Sequence, residues 1–211
     1  MSQPVVHIID DDDSVREALS RVLRYAGFDA RAYPSAVEFL VAERDDAPSC
    51  IVLDVGLPGM SGVELQAAIG RRESTPPIVF LTGRGDVDTS VRAMKAGAVD
   101  FLTKPVDRKA LLTAVNVALA CDAERRHRRD EIRDVRERFD RLTSREREVF
   151  AEVVRGKLNK QIAEAFGTSI RTVKAHRAQV MAKMEAGSLA ELVSVAGRLE
   201  TAQRATSQGP P

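Results

Sequence analysis

Five times in the first 120 residues a short apolar run gives way to a longer stretch of helical periodicity. The runs are Val5–Ile9, Ala30–Tyr33, Cys50–Asp54, Ile78–Thr82 and Asp100–Thr103. The helical stretches are Ser14–Ala26, Ser35–Arg44, Gly62–Arg72, Val87–Ala96 and one that begins near Arg108. Strand-then-helix repetition implies a parallel sheet covered on both faces. Right-handed crossovers then make a doubly wound five-stranded α/β fold the expectation. Local punctuation agrees. Ser14-x-x-Glu17 and Ser35-x-x-Glu38 have capping-box spacing, and Gly27 and Gly97 stand where helices end.

Beyond this region the pattern changes. "CDAERRHRRDEIRDVRERFDRL", residues 121–142, has no Gly or Pro and consists mostly of charged, helix-forming residues. It is expected to continue the fifth helix as a rigid connector. Ile132, Val135, Phe139 and Leu142 form an apolar seam two heptads long. Such a seam fits either docking along one of the chain's own domains or a short coiled coil between protomers. From Thr143 onward the periodicity is helical throughout: Ser144–Arg155, Asn159–Phe166, Ile170–Lys183 and Ser188–Arg198. Gly156, Gly167 and Gly187 mark the short links. The expected organisation is an α/β domain over 1–121, a helical linker over 122–142, a small all-α domain over 143–200 and a disordered tail, "TAQRATSQGPP", over 201–211.

Charge divides the same way. Residues 1–121 carry 13 Lys and Arg against 17 Asp and Glu, whereas residues 143–211 carry 11 against 7. An acidic front and a basic back suggest different partners. No apolar run approaches the ~20 residues of a membrane span. "MSQPVV" lacks the basic and apolar regions of a signal peptide, and Cys50 and Cys121 fit neither a disulfide framework nor a metal site. A cytoplasmic protein with no membrane contact is expected.

In a doubly wound fold, ligands sit beyond the C-terminal ends of the strands. Strand one ends in Asp10-Asp11, strand three in Asp54 and strand four in Thr82, and Lys104-Pro105 follows strand five. Three carboxylates, a hydroxyl and an ammonium thus converge on one rim. This is an inventory for phosphoryl transfer. Carboxylates hold a hard divalent cation, a lysine neutralises phosphoryl oxygens, and a carboxylate can be the nucleophile. Asp12 and Asp13 read differently, as helix-start residues beside Ser14.

"HIIDDDDSVR", "IVLDVGLPGMSGVEL", "PPIVFLTGRGDVDTSVRAMKAGAVDFLTKP" and "LTSREREVFAEVVRGKLNKQIAEAFGTSIRTVKAHRAQVMAKM" together resemble two-component response regulators of the FixJ/NarL type. The first three are similar to a flavodoxin-like receiver domain and the last to a LuxR-type helix-turn-helix. The resemblance covers Val5 to Leu199. It implies Asp54 as phospho-acceptor and a Mg2+ site of Asp10, Asp11, Asp54 and the Gly56 carbonyl. It implies Lys104 as the phosphate-binding lysine, Thr82 and Phe101 as switch residues, and a cis peptide at Lys104-Pro105. Gly56 has no side chain where many receivers carry a polar residue that could shield the acyl phosphate.

The basic end reads consistently. From Thr168 to Lys183 there are four cations, Arg171, Lys174, Arg177 and Lys183, and no acid. Arg171, Lys174, Ala175 and Ala178 share one helical face, opposite Ile170, Val173, Val180 and Met184, which are expected to be buried. A basic face relieved by alanines can approach base edges, and alanine methyls can touch thymine. The resemblance implies Lys174, Ala175 and Ala178 for base reading, and Lys160, Ser169, Arg171, Thr172, Arg177 and Lys183 for phosphate contact. It also implies a sensor histidine kinase, promoter DNA and RNA polymerase as partners. It implies homodimerisation on phosphorylation, through the face around Val87–Ala96, strand five and helix five. No enzymatic activity is implied beyond the protein's own phosphorylation and dephosphorylation. A haloacid-dehalogenase-type phosphatase would need a second acid two residues after Asp54, where Gly56 stands. A DNA-binding protein with a vestigial receiver would not need all five pocket positions intact.

Overall fold

The computed structural model describes residues 3–43, 46–70, 75–83 and 87–207. The chain divides into two compact units, residues 1–126 and 127–211. In the first, β1 (Val5–Ile9), β2 (Asp29–Tyr33), β3 (Ser49–Asp54), β4 (Ile78–Thr82) and β5 (Asp100–Thr103) form one parallel sheet in the order β2-β1-β3-β4-β5. The three inner strands are buried at every position, as their unbroken apolar runs demand, while β2 and β5 at the edges are partly exposed.

Period-two alternation splits the inner strands between two cores. Val6, Ile8, Val52, Val79 and Leu81 pack against α1 (Asp13–Tyr25) and the first half of α5 (Arg108–Asp140), through Leu19, Leu23, Leu111 and Val115. Ile9, Ile51, Leu53 and Phe80 face α2 (Ala36–Val41), α3 (Gly62–Ile69) and α4 (Val87–Lys95), through Phe39, Leu65, Ile69 and Ala93. Strand order reverses between β1 and β3, so a crevice opens beyond Ile9 and Asp54, where a doubly wound sheet places its ligand.

Helix starts differ from expectation in one instructive place. Asp12, not Ser14, caps α1: its Oδ1 accepts from the backbone N–H groups of Ser14 (2.8 Å) and Val15 (3.3 Å) and from the Ser14 hydroxyl (2.6 Å). Asp13 is the first helical residue. Ser35 does cap α2, accepting from Glu38 N at 3.2 Å. Reciprocal capping boxes also start α3, Ser61 with Glu64, and α6 (Ser144–Val154), Thr143 with Glu146. Gly27 and Gly97 take φ of 91° and 90° after α1 and α4, as their positions require. The expected helix ends at Arg44 and Arg72 lie outside the described residues.

α5 runs 33 residues without interruption. Its middle belongs to the first unit further than residue 121. Asp122 is buried and accepts from Ser49 N at 2.9 Å, and it pairs with Arg126 at 2.8 Å, which also pairs with Asp46. Its last turns belong to the second unit. Val135 and Leu142 are each 4% exposed there, and Phe139 meets Phe150 edge-on at 5.3 Å. Of the two readings of the seam, docking along its own domain is the one observed.

α6, α7 (Asn159–Ala165), α8 (Ile170–Lys183) and α9 (Leu189–Ser207) enclose a core of Val149, Phe150, Val153, Ile162, Val173, Val180, Met184, Leu192 and Leu199. Ile170 was expected in it but is 45% exposed at the first position of α8. After α8 the left-handed position falls on Glu185 (φ 53°) rather than on Gly187. α9 continues through 201–207, where a disordered tail was expected. Thr201 to Ser207 contains no Gly or Pro, so nothing breaks the helix before Gly209-Pro210; residues 208–211 lie outside the described set.

Candidate acidic pocket and nucleic-acid interface

The sheet register assembles the pocket. Ile9 pairs with Leu53, so Asp10 and Asp54 leave adjacent strands side by side. Thr82 pairs with Thr103, and the Lys104 N–H donates to the Thr82 carbonyl at 2.7 Å, which brings Lys104 over the end of β4. Lys104-Pro105 is a cis peptide. Lys104 Nζ lies 2.6 Å from Asp10 Oδ2 and 3.2 Å from Asp54 Oδ1. Asp10 is fully buried, Asp54 and Thr82 are 7% and 6% exposed, and Asp11 is exposed. Thus the sheet brings together Asp10, Asp11, Asp54, Thr82 and Lys104.

The cluster holds more negative charge than one lysine balances. Burial pushes the Asp54 carboxyl above its ordinary range; the adjacent Lys104 opposes this, and the charges of Asp10 and Asp11 add to it. Burial draws the Lys104 ammonium down, but its contacts with Asp10 and Asp54 outweigh that, and the net shift is upward.

Asp10, Asp11 and Asp54 each offer a carboxylate oxygen, all within 4.8 Å of one another. Asp10 Oδ1 accepts from Asp12 N at 3.0 Å, whereas buried Oδ2 has no hydrogen bond. It pairs instead with the Lys104 ammonium at 2.6 Å. Three carboxylates converging on one lysine leave net negative charge, a donor set that fits a hard divalent cation with oxygen ligands. Arg16, unremarked in the sequence, supports the site from below: its Nη1 donates to the Asp10 carbonyl at 2.6 Å.

Two glycines border Asp54 and differ in kind. A Cβ on Gly56 would sit 3.5 Å from Asp54 Oδ2, an ordinary contact, so the position has room for a side chain. A Cβ on Gly62 would lie 2.4 Å from the Asp54 carbonyl oxygen and 3.1 Å from Phe80. Gly62 lets the start of α3 press against the end of β3; only a three-dimensional contact reveals it. Phe101 is partly buried and pairs across the ladder with Phe80, with ring centroids 6.1 Å apart.

In the second unit, α7 and α8 form a helix pair joined by a turn at Gly167 (φ 60°). Ser169 caps α8, accepting from Thr172 N at 3.0 Å, and its hydroxyl also meets the Thr172 hydroxyl at 2.8 Å. Lys160, Arg171, Thr172, Lys174, Ala175 and Ala178 are exposed. Arg177 is half-buried and donates to Asn159 Oδ1 at 3.1 Å, and Lys183 pairs with Glu146 at 2.7 Å. The last two are engaged within the domain, while Arg171, Lys174, Ala175 and Ala178 share one exposed face of α8.

Residues 6–116 match the response regulator receiver domain, and residues 140–196 match the luxR family of bacterial regulatory proteins. The chain belongs to the response regulators and joins a receiver domain to a LuxR-type DNA-binding domain. It is 40% identical to Nodulation protein W of Bradyrhizobium diazoefficiens over 98% of this chain and 91% of that one. It is 44% identical to the transcriptional regulatory protein FixJ of Azorhizobium caulinodans over 90% of each. Among solved structures, the response regulator StyR matches with 43% identity and a TM-score of 0.84, over 93% of this chain and all of that one. Full-length FixJ from B. japonicum matches with 37% identity and a TM-score of 0.57, over 95% and 99%. Such a receiver implies a histidine-kinase partner, and such a C-terminal domain implies DNA. No helix among the described residues is long and apolar enough to cross a membrane.

Proposed function

We propose that Asp54 accepts a phosphoryl group from a sensor histidine kinase, and that this modification controls promoter binding in the cytoplasm. The observation that carries the reading is the Asp54 carboxylate itself. It is nearly buried at the end of β3, 3.2 Å from Lys104 Nζ and in reach of Asp10 and Asp11. One of its oxygens forms the new P–O bond as the P–N bond of the kinase phosphohistidine breaks. A desolvated carboxylate is the better nucleophile for that step. Asp10, Asp11, Asp54 and the Gly56 carbonyl would hold Mg2+, which when bound neutralises charge on the acidic cluster and on the phosphoryl oxygens. Lys104 takes a further share of the phosphoryl charge.

The acyl phosphate draws Thr82 toward it, and Phe101 packs into the space vacated. The surface of α4, β5 and α5 is thereby reshaped and pairs two protomers. The dimer presents two copies of α8 to DNA. Lys174 reads base edges with Ala175 and Ala178 beside it. Lys160, Ser169, Arg171 and Thr172 contact the backbone, as does Arg177 through the N–H donors it does not give to Asn159. RNA polymerase is the final partner. Beyond its own phosphorylation and dephosphorylation the protein is not an enzyme.

The test is phosphoryl uptake from acetyl phosphate, read by intact mass, with Mg2+ or with a chelator. Wild-type protein should gain one phosphoryl group with Mg2+ alone, and Asp54→Asn none. A phosphorylated Asp54→Asn protein would sink the assignment.

A further inference from the structure

The C-terminal end of α8 is held by a polar clasp to α6 and to the end of α5. Lys183 Nζ donates to Glu146 Oε2 at 2.7 Å and to the Arg141 carbonyl at 3.3 Å. The same Glu146 oxygen accepts from Thr143 N at 2.8 Å, which closes the capping box of α6. Two residues past α8, Glu185 Oε2 lies 3.2 Å from Arg138 Nη2 on the last turn of α5. Glu146 is 5% exposed, and the Lys183 side chain keeps about a third of its surface, 31%. At the start of α8, by contrast, the Ser169 hydroxyl bonds only to Thr172 of the same helix, among the described contacts.

A lysine in this setting is not free for phosphate. To reach DNA its ammonium would have to give up both the Glu146 carboxylate at 2.7 Å and the Arg141 carbonyl at 3.3 Å. Its geometry suits a different task. Lys174 stands nine residues, or roughly 13 Å, up the helix from Lys183. A tilt of about 10° at the clasp would carry Lys174 through ~2 Å, enough to spoil a base contact.

We infer that Lys183 and Glu146 are positioning residues for DNA reading: they fix the angle of α8 against α6 and the end of α5, and Lys183 touches no phosphate. The inference rests on α8 being the DNA-reading helix.

The experiment uses full-length protein and a mixed-sequence DNA duplex, followed by fluorescence anisotropy across a salt series. It is run at a temperature where circular dichroism shows each variant folded. Lys183→Gln and Glu146→Gln should each weaken binding by about threefold or more, with the salt slope unchanged. The double variant should be no worse than the poorer single, and Lys183→Arg, which can rebuild the pair, should recover most of the affinity. Arg171→Ala should lower the slope by about 0.9, one phosphate's share. A fall of that size in Lys183→Gln, with Glu146→Gln behaving as wild type, would make Lys183 a phosphate contact and overturn the inference. So would wild-type affinity in both. An unchanged slope in Arg171→Ala would instead remove the premise that α8 reads DNA. Should Glu146→Gln fail to fold, the contrast between Lys183→Gln and Lys183→Arg decides alone.

Discussion

At the end of the sheet, Asp10 and Asp54 are withdrawn from water and crowded around one lysine; on α8, Arg171 and Lys174 stand apart and exposed. Both regions concentrate one sign of charge, but the first stores an imbalance and the second advertises one. A cation offsets the charge of the buried site and a phosphoryl group adds to it, so either can bias a conformational equilibrium. The exposed face is screened by salt and costs little to maintain, and it suits a long polyanion. Sensing and reading thus use different physics within one chain.

The largest expected break in this comparison comes from removing a pocket carboxylate. Asp11→Ala should abolish Mg2+-dependent phosphoryl uptake, while Asp13→Ala, a helix-start residue outside the cluster, should leave uptake intact; mass spectrometry after acetyl-phosphate treatment reads both. On α8, Lys174→Ala should relax preference at the base pair it reads by about 1–3 kcal/mol, measured by competition among substituted duplexes. Loss of affinity that is uniform across sequences would make it a phosphate contact instead.

The two glycines beside Asp54 give a comparable effect on stability. Gly62→Ala should cost about 1–3 kcal/mol in denaturant unfolding, because its Cβ meets the Asp54 carbonyl. Gly56→Ala should stay within about 0.5 kcal/mol, since its Cβ meets ordinary van der Waals contact.

The smallest effect separates the regions by sign. Glu146 titrates below its usual 4.5, chiefly because Lys183 holds it, with the Thr143 N–H assisting. Its contribution is therefore complete above that value and disappears as pH falls through the lowered one. Asp54 is shifted upward by burial, so its charge opposes folding at neutral pH and its protonation relieves that cost as pH falls. Denaturation between roughly pH 6 and 3 should show Glu146→Gln flattening the acid loss of the helical domain. Without Mg2+, Asp54→Asn should raise the midpoint of the receiver at neutral pH. A lowered midpoint would mean that the ionised Asp54 stabilises the fold.

The sequence disclosed most of the fold and the pocket for one reason. Period-two and 3.6-residue patterns locate strand ends, and strand ends in a doubly wound sheet are where Asp10, Asp54, Thr82 and Lys104 must meet. What it hid were contacts made across the fold. Gly62 reads as an ordinary helix start until the Asp54 carbonyl is placed beside it. Arg16 under Asp10 and Lys183 against Glu146 are equally silent. Among four consecutive carboxylates and a serine, nothing local says which one caps α1; the chain's path chose Asp12. The connector was legible as a helix but not in its ownership. Asp122 and Arg126 bind back to Ser49 and Asp46, while Val135 and Leu142 sink into the helical domain.

The most direct measurement is promoter-DNA affinity before and after treatment with acetyl phosphate and Mg2+, in wild type and in Asp54→Asn. Treatment should tighten binding several-fold in the wild type and leave Asp54→Asn at the untreated value. An equal response in both proteins would contradict control of DNA binding through Asp54.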